Sequence, residues 1–150
     1  MKRVMPSVPL ELKRPVPSDI QVAQASVPRP IAELAEDIGI LKQELEPYGF
    51  TKAKVTLDIR ERLKDVPNGH MVVVTAITPT TSGEGKTVNT IGLTQGLVKL
   101  GHSAVAALRE PSLGPVFGMK GGATGGGKAS LEPIDRINLH FTGDFHAITS

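Results

Sequence analysis

The sequence predicts an α/β fold, a parallel sheet with flanking helices. Three stretches carry that prediction. Residues 71–77 (MVVVTAI) form a continuous apolar, β-branched run, the signature of a strand buried on both faces. TPTTSGEGKT, residues 78–87, follows at once and leads into a helical pattern over 86–100 that stops at Gly101. After a short turn comes a second apolar run, SAVAAL, at 103–108. Strand, loop, helix, strand is a βαβ unit, whose strands run parallel and whose crossover is right-handed.

The elements before that unit are shorter. Six of the twelve prolines lie within the first 30 residues. Residues 1–17 therefore read as an extended or disordered arm. Residues 18–69 read as a short helical segment. Ser18 and Asp19 cap a helix running to about Ala25. Pro30 suits a first helical residue, and Ile31, Leu34, Ala35 and Ile38 fall on one face before Gly39 ends the helix. A further short helix is expected over 41–46 and another over 57–63, followed by a turn at Pro67-Asn68-Gly69. From residue 70 to 150 the chain reads as one α/β segment, cut short at its end. Within its helix, Gly92 and Gly96 lie four apart on one face. Both lower helix propensity, so close packing on a sheet is the expected reason for them. The stretch 111–130 is glycine-rich and irregular. Residues 137–141 alternate as a third strand, and Thr142-Gly143-Asp144 reads as a strand-to-helix turn. The helix expected from Phe145 is cut short at Ser150, so the sheet is expected to be incomplete in this chain.

Composition narrows the function classes. Seventeen basic against fifteen acidic side chains leave a net charge of +2, too small for a general nucleic-acid binder. Cysteine is absent, which excludes thiol catalysis and thiolate metal sites and fits a reducing compartment. Lys2 and Arg3 are not followed by the apolar core of a signal peptide, and Pro6 and Pro9 interrupt the stretch. No run approaches the roughly 18 apolar residues of a membrane span. A cytoplasmic protein is the expectation. Aromatic residues make up only 3% of the chain, so stacking platforms for rings are scarce.

The stretch at 78–87 carries the chemistry. A phosphate loop needs glycines that let backbone N–H groups turn inward, and a helix N-terminus whose dipole favours negative charge. It also needs a lysine for the outer phosphates and a hydroxyl for magnesium. Gly83 and Gly85 supply the turns, while Lys86 and Thr87 open the helix. The strict pattern G-x-x-x-x-G-K-[ST] fails at Thr80. The strand before, the helix after and the spacing from 80 to 87 restore it, and the hydroxyls of Thr80, Thr81 and Ser82 replace part of what the glycine gives. The competing reading is a glycine-rich turn with a solvated lysine. Arg109 and Glu110 sit at the end of the second expected strand, beside this loop. A guanidinium there suits a second anion, held bidentately. Structural ion pairs are the other reading of Arg109 and Glu110. The glycine-rich stretch with Lys120 and Lys128 reads equally as a cover over an anionic substrate or as a mobile surface loop.

Taken together, TAITPTTSGEGKT, LREPSLGPVFGMKGGATGGGKA and INLHFTGDFHAIT closely resemble the formate–tetrahydrofolate ligases. SDIQVAQASVPRPIAELAEDIGI and YGFTKAKVTLD resemble the start of the same family's monofunctional members, so the resemblance covers residues 18–150. The family's loop also carries threonine at the position of Thr80, in a T-P-T-x-x-G-E-G-K-T pattern. The resemblance implies a P-loop NTPase-like parallel sheet with flanking helices. It also implies an ATP-dependent ligation of formate to tetrahydrofolate through formyl phosphate, giving 10-formyltetrahydrofolate, ADP and phosphate. Magnesium, a monovalent cation (K+ or NH4+) and a homo-oligomeric full-length form come with it. Carried over by position, Thr80, Thr81, Ser82, Gly83, Glu84, Gly85, Lys86 and Thr87 hold the ATP phosphates. Lys86 neutralises the transferring phosphoryl group and Thr87 helps hold magnesium. Arg109 clamps the formyl phosphate, and Glu110 lies near the folate and formyl group. Asp144 reads equally as an orderer of the site or as a plain helix cap. His140 and His146, six apart with no carboxylate cluster beside them, are structural or surface residues, and Phe117 is a packed aromatic.

Family members are several times longer than this chain, and the pteridine-gripping aromatics and part of the adenine site lie further along them. The expectation is therefore an N-terminal piece that carries the phosphate-handling half of the site and is itself weakly active or inactive. The alternative enzyme class is a partitioning-type P-loop ATPase switch, which calls for an aspartate near residue 109 and a second lysine early in the loop. The non-enzymatic alternative is a catalytically inactive nucleotide-binding fragment.

Overall fold

The computed structural model describes residues 12–77, 84–108, 125–126 and 129–133. Their secondary structure is mixed α/β, with four short helices, a 3-10 turn and two small antiparallel sheets among the described residues.

Ser18 caps α1 (Asp19–Gln24) in a reciprocal capping box: the Gln21 N–H bonds the Ser18 hydroxyl, and the Gln21 side chain accepts from the Ser18 N–H at 2.9 Å. Helix α2 (Ile31–Ile38) starts one residue later than expected, with Pro30 as its N-cap. Its apolar face holds Ala35, which is buried, together with the half-buried Ile31 and Leu34. Gly39 ends α2 with φ 89°, and the Gly39 and Ile40 N–H groups turn back to the carbonyls of Glu36 and Ala35. Arg29 braces the exposed side, with Nη1 2.9 Å from the Asp37 carboxylate.

The helix expected over 41–46 is shortened to a 3-10 turn at Lys42–Glu44, and strand β1 (Leu45–Tyr48) begins at once. Pro47 explains the change. A proline ring clashes with the preceding helical turn and pushes the residue before it, Glu46, into extended backbone. β1 pairs antiparallel with β2 (Lys52–Val55), with Leu45 opposite Val55 and Tyr48 opposite Lys52. Gly49, at φ 71°, starts the reversal between them. The Ile31 N–H, an open donor at the start of α2, bonds the Phe50 carbonyl in that reversal at 2.7 Å. The hairpin was not expected from the sequence. Its strands are too short for a convincing two-residue period, and only the Gly49 turn marks it.

Helix α3 (Asp58–Leu63) matches the helix expected at 57–63. It is fastened by one ion pair. Glu44 is almost fully buried, at 2% exposure. Its carboxylate takes two bonds from the Arg62 guanidinium, one of them at 2.8 Å, and one from the Leu41 N–H at 2.9 Å. Arg62 Nη2 also donates to the Gly39 carbonyl at 3.1 Å. One guanidinium thus joins α3 to the C-terminus of α2 and to the 3-10 turn. Hydrogen bonding to Arg62 holds the Glu44 carboxyl below the usual carboxylate range and raises the guanidinium in turn. The reversal after α3 lies at 64–66, where the Val66 N–H bonds the Leu63 carbonyl, and not at Pro67-Asn68-Gly69.

Helix α4 (Lys86–Lys99) fulfils the longest sequence expectation. The Gly101 and His102 N–H groups close its end onto the Val98 and Leu97 carbonyls, with Gly101 at φ 83°. Ile91 is buried, and the helix contacts β3 (Gly125–Gly126) and β4 (Ala129–Ser130), which pair with each other. Two expectations fail here. Residues 71–77 and 103–108 adopt no strand among the described residues, and make no backbone hydrogen bond to another described residue. A parallel ladder needs partner backbone alongside, and these runs have none there, so Met71 stands 88% exposed and Ile77 fully exposed. The glycines of α4 are not pressed on a sheet either. A Cβ built at Gly92 or Gly96 meets no atom within 4 Å.

Candidate functional site

The described part of the site is the start of α4. Gly85 is the N-cap, in the left-handed region at φ 67°, ψ 17°, with no side-chain cap. An L-residue resists that backbone, so glycine at 85 is a geometric requirement of this turn. The first intrahelical bond runs from the Asn89 N–H to the Gly85 carbonyl at 2.9 Å. By helix geometry the N–H groups of Lys86, Thr87 and Val88 then have no acceptor within the helix. These are the donors that an anion at a helix N-terminus uses.

Glu84 precedes the N-cap, but within α4 the charge at this end opposes helix stability. No acidic residue occupies the first turn of α4, and its first residue is a lysine. A cation at the positive end of a helix dipole is unfavourable by about 0.3–1 kcal/mol. Capping would ordinarily be worth about 1 kcal/mol more. An uncapped, basic helix start is what remains if an anion is to complete it.

Glu84, Gly85 and Lys86 are exposed and Thr87 is half-buried. The structure therefore brings the glycine, the lysine and the hydroxyl together at one helix end. Thr80, Thr81, Ser82 and Gly83 of the loop lie outside the described residues, as do Arg109, Glu110, Phe117, Lys120, Lys128, His140, Asp144 and His146. A cavity of about 410 Å³ lies elsewhere. It is lined by Lys13, Arg14 and Pro15 of the arm and by Gln21 and Val22 of α1, and includes none of the candidate residues. A second hollow of about 230 Å³ lies where α1 meets α4 and β4, between Val22, Gln95 and Ser130. Among the described residues no group of three or more His, Asp or Glu side chains could hold a metal ion, and no helix is long and apolar enough to cross a membrane.

Sequence reasoning missed one feature of this end, the Asn89 side chain, which donates to the Gly85 carbonyl at 3.0 Å. The spacing of four between Gly85 and Asn89 becomes a signal only once the left-handed turn at Gly85 is known.

The model of the family described as formate–tetrahydrofolate ligase matches residues 17–150. The chain belongs to the formate–tetrahydrofolate ligase family. It is also 54% identical over 149 residues to a protein of Schizosaccharomyces pombe named C-1-tetrahydrofolate synthase, cytoplasmic. That match covers 99% of this chain and 16% of the relative. The chain thus spans under a fifth of the length of the curated relative it matches. Lys86 and Thr87, which open α4, lie within the matched residues.

Proposed function

We propose that this chain supplies the phosphate-handling part of an ATP-dependent formate–tetrahydrofolate ligase. The supporting observation is the start of α4: a left-handed glycine, three open N–H groups, a lysine and a hydroxyl, in a chain matched to the ligase family over 17–150. In this reading the whole enzyme makes formyl phosphate and ADP from formate and ATP. The N10 amine of tetrahydrofolate then attacks the formyl carbon, and phosphate leaves.

The residues divide the work by charge. The Lys86, Thr87 and Val88 N–H groups hold phosphate oxygens, and the Lys86 ammonium offsets charge that grows on the transferring phosphoryl group. Thr80–Gly83 complete the cradle from the other side, and Glu84 and Gly85 set its bend. Arg109 holds the formyl phosphate, and Glu110 faces the formyl and folate side. The Thr87 hydroxyl would help hold a magnesium ion beside the ATP phosphates. Magnesium, when bound, neutralises phosphate charge, and K+ or NH4+ is the assisting monovalent cation. The enclosing fold is a P-loop NTPase-like parallel sheet of which residues 70–150 supply an incomplete part, the exposed run at 71–77 finding its partners in the whole enzyme. Residues 1–17 form the arm and 18–69 the helical segment before it. The setting is cytoplasmic, the full-length form a homo-oligomer, and neither nucleic acid nor membrane is a partner.

The test is ADP release with and without formate, in a protein of the relatives' length that begins with this sequence. Formate-dependent release is expected, with Lys86→Ala reducing it at least a hundredfold. Equal release in both conditions would refute the ligase reading and favour an ATPase switch. Arg109→Ala is expected to impair both formation and use of formyl phosphate, and normal behaviour of that variant would remove the second anion site.

A further inference from the structure

The Gly85 carbonyl accepts two hydrogen bonds from one residue: the Asn89 N–H at 2.9 Å and the Asn89 side-chain Nδ2 at 3.0 Å. The first belongs to any helix. The second is extra, and it falls on the one peptide of α4 whose leading residue is a glycine in the left-handed region. Such a glycine explores backbone space that other residues cannot, so the peptide after it is the easiest in the site to rotate. Resonance keeps a trans peptide planar, so the Gly85 oxygen and the Lys86 N–H point in opposite directions across one plane. Tying the oxygen down toward the helix therefore aims the Lys86 N–H away from the helix, toward the side an anion approaches. The next peptide is held in a similar way by a hydroxyl, with Thr90 Oγ1 donating to the Lys86 carbonyl at 2.8 Å.

We propose that Asn89 is a positioning residue for phosphate binding, acting by fixing the Gly85–Lys86 peptide so that the Lys86 N–H faces the anion; this rests on the phosphate-site reading above. Asn89 does not touch the phosphate in this scheme. The competing role is a plain helix tie, which would show in stability and not in affinity.

The test is calorimetric binding of MgATP to a protein of the relatives' length that begins with this sequence, with urea unfolding followed alongside. Asn89→Ala is expected to weaken MgATP about fivefold, the worth of one ordinary hydrogen bond, while the unfolding midpoint of the chain stays close to that of the parent. Asn89→Thr is expected to restore affinity to within twofold. Its hydroxyl can reach back four residues, as those of Thr90 and Thr94 do to the Lys86 and Thr90 carbonyls. If Asn89→Ala binds like the parent, or if it unfolds more easily with unchanged affinity, the positioning role is overturned. It is equally overturned if Asn89→Thr binds as weakly as Asn89→Ala. If the parent fails to bind MgATP, or Lys86→Ala binds as well as the parent, the phosphate-site reading itself fails and takes this inference with it.

Discussion

Replacing Lys86 with glutamate separates a functional lysine from a merely solvated one, because both readings predict added stability and only the functional one predicts lost MgATP binding. Lys86 is the first residue of α4, a helix of 14 residues with no side-chain cap and no acidic residue in its first turn. At that position a cation opposes the helix dipole and an anion complements it, each by about 0.3–1 kcal/mol at an exposed site in low salt. The side chain is exposed, so the lower half of both ranges applies, and the swap sums to about 1 kcal/mol of added stability. Screening shortens the reach of these charges to about 3 Å in 1 M salt, so most of that gain disappears there. Urea unfolding of the two chains at 10 mM and 1 M NaCl measures both effects. The expected result is a higher midpoint for Lys86→Glu in low salt, a smaller difference in high salt, and loss of MgATP binding in the same variant. A lower midpoint in low salt would show that the start of α4 is not an uncompensated positive end. A stabilised variant that still bound MgATP would leave Lys86 with no part in the site.

Other substitutions test the frame that carries this end. Gly92→Ala and Gly96→Ala should each stabilise the chain by about 1 kcal/mol in urea unfolding, since a Cβ at either meets nothing within 4 Å; a loss of stability would place a neighbour against that face. Gly39→Ala should cost about 1–2 kcal/mol, because its φ of 89° lies in the left-handed region; an unchanged urea midpoint would show that the end of α2 relaxes freely. For Glu44 the sign follows from its lowered carboxyl. The unfolded group titrates near about 4.3, so the stability it contributes is complete above that pH and is lost as pH falls through the lower folded value. Glu44→Gln should therefore weaken the chain at pH 7 and flatten its loss of stability as the pH falls below the ordinary carboxylate range, and an acid limb as steep as the parent's would exclude the Arg62 pair as its cause.

What could be read in advance followed the physics of local signals. Ser18 with Gln21, Pro30 with Gly39, and Lys86 with Gly101 are start and stop signals spoken by adjacent residues, and α1, α2 and α4 lie where those signals put them. The boundary at Leu45 was misread because Pro47 acts backwards on Glu46, overriding helix-forming residues before it. The hairpin depends on pairing between residues up to ten apart, and its strands of four residues are too short to show a period. The Glu44–Arg62 pair spans 18 positions and leaves no pattern in the sequence at all. The run at 71–77 was read correctly as apolar and β-branched, but pairing is a property of neighbours, and none of the described residues supplies it. At the candidate site, glycine, lysine and threonine were legible because phosphate binding needs those residue types in that order. The Asn89 bond to Gly85 was not, since its meaning depends on the left-handed turn that only the structure displays.

In the proposed site, ATP phosphate meets the open N–H groups at the start of α4. The most direct measurement is a titration of the isotopically labelled chain with MgATP, followed through the backbone amide resonances. The largest shifts are predicted at Gly85, Lys86, Thr87 and Val88, with little change along α2 and the hairpin, and with all of these shifts lost in Lys86→Ala. Saturable shifts centred on the arm and α1, around Lys13 and Arg14, with the α4 amides unmoved, would contradict it.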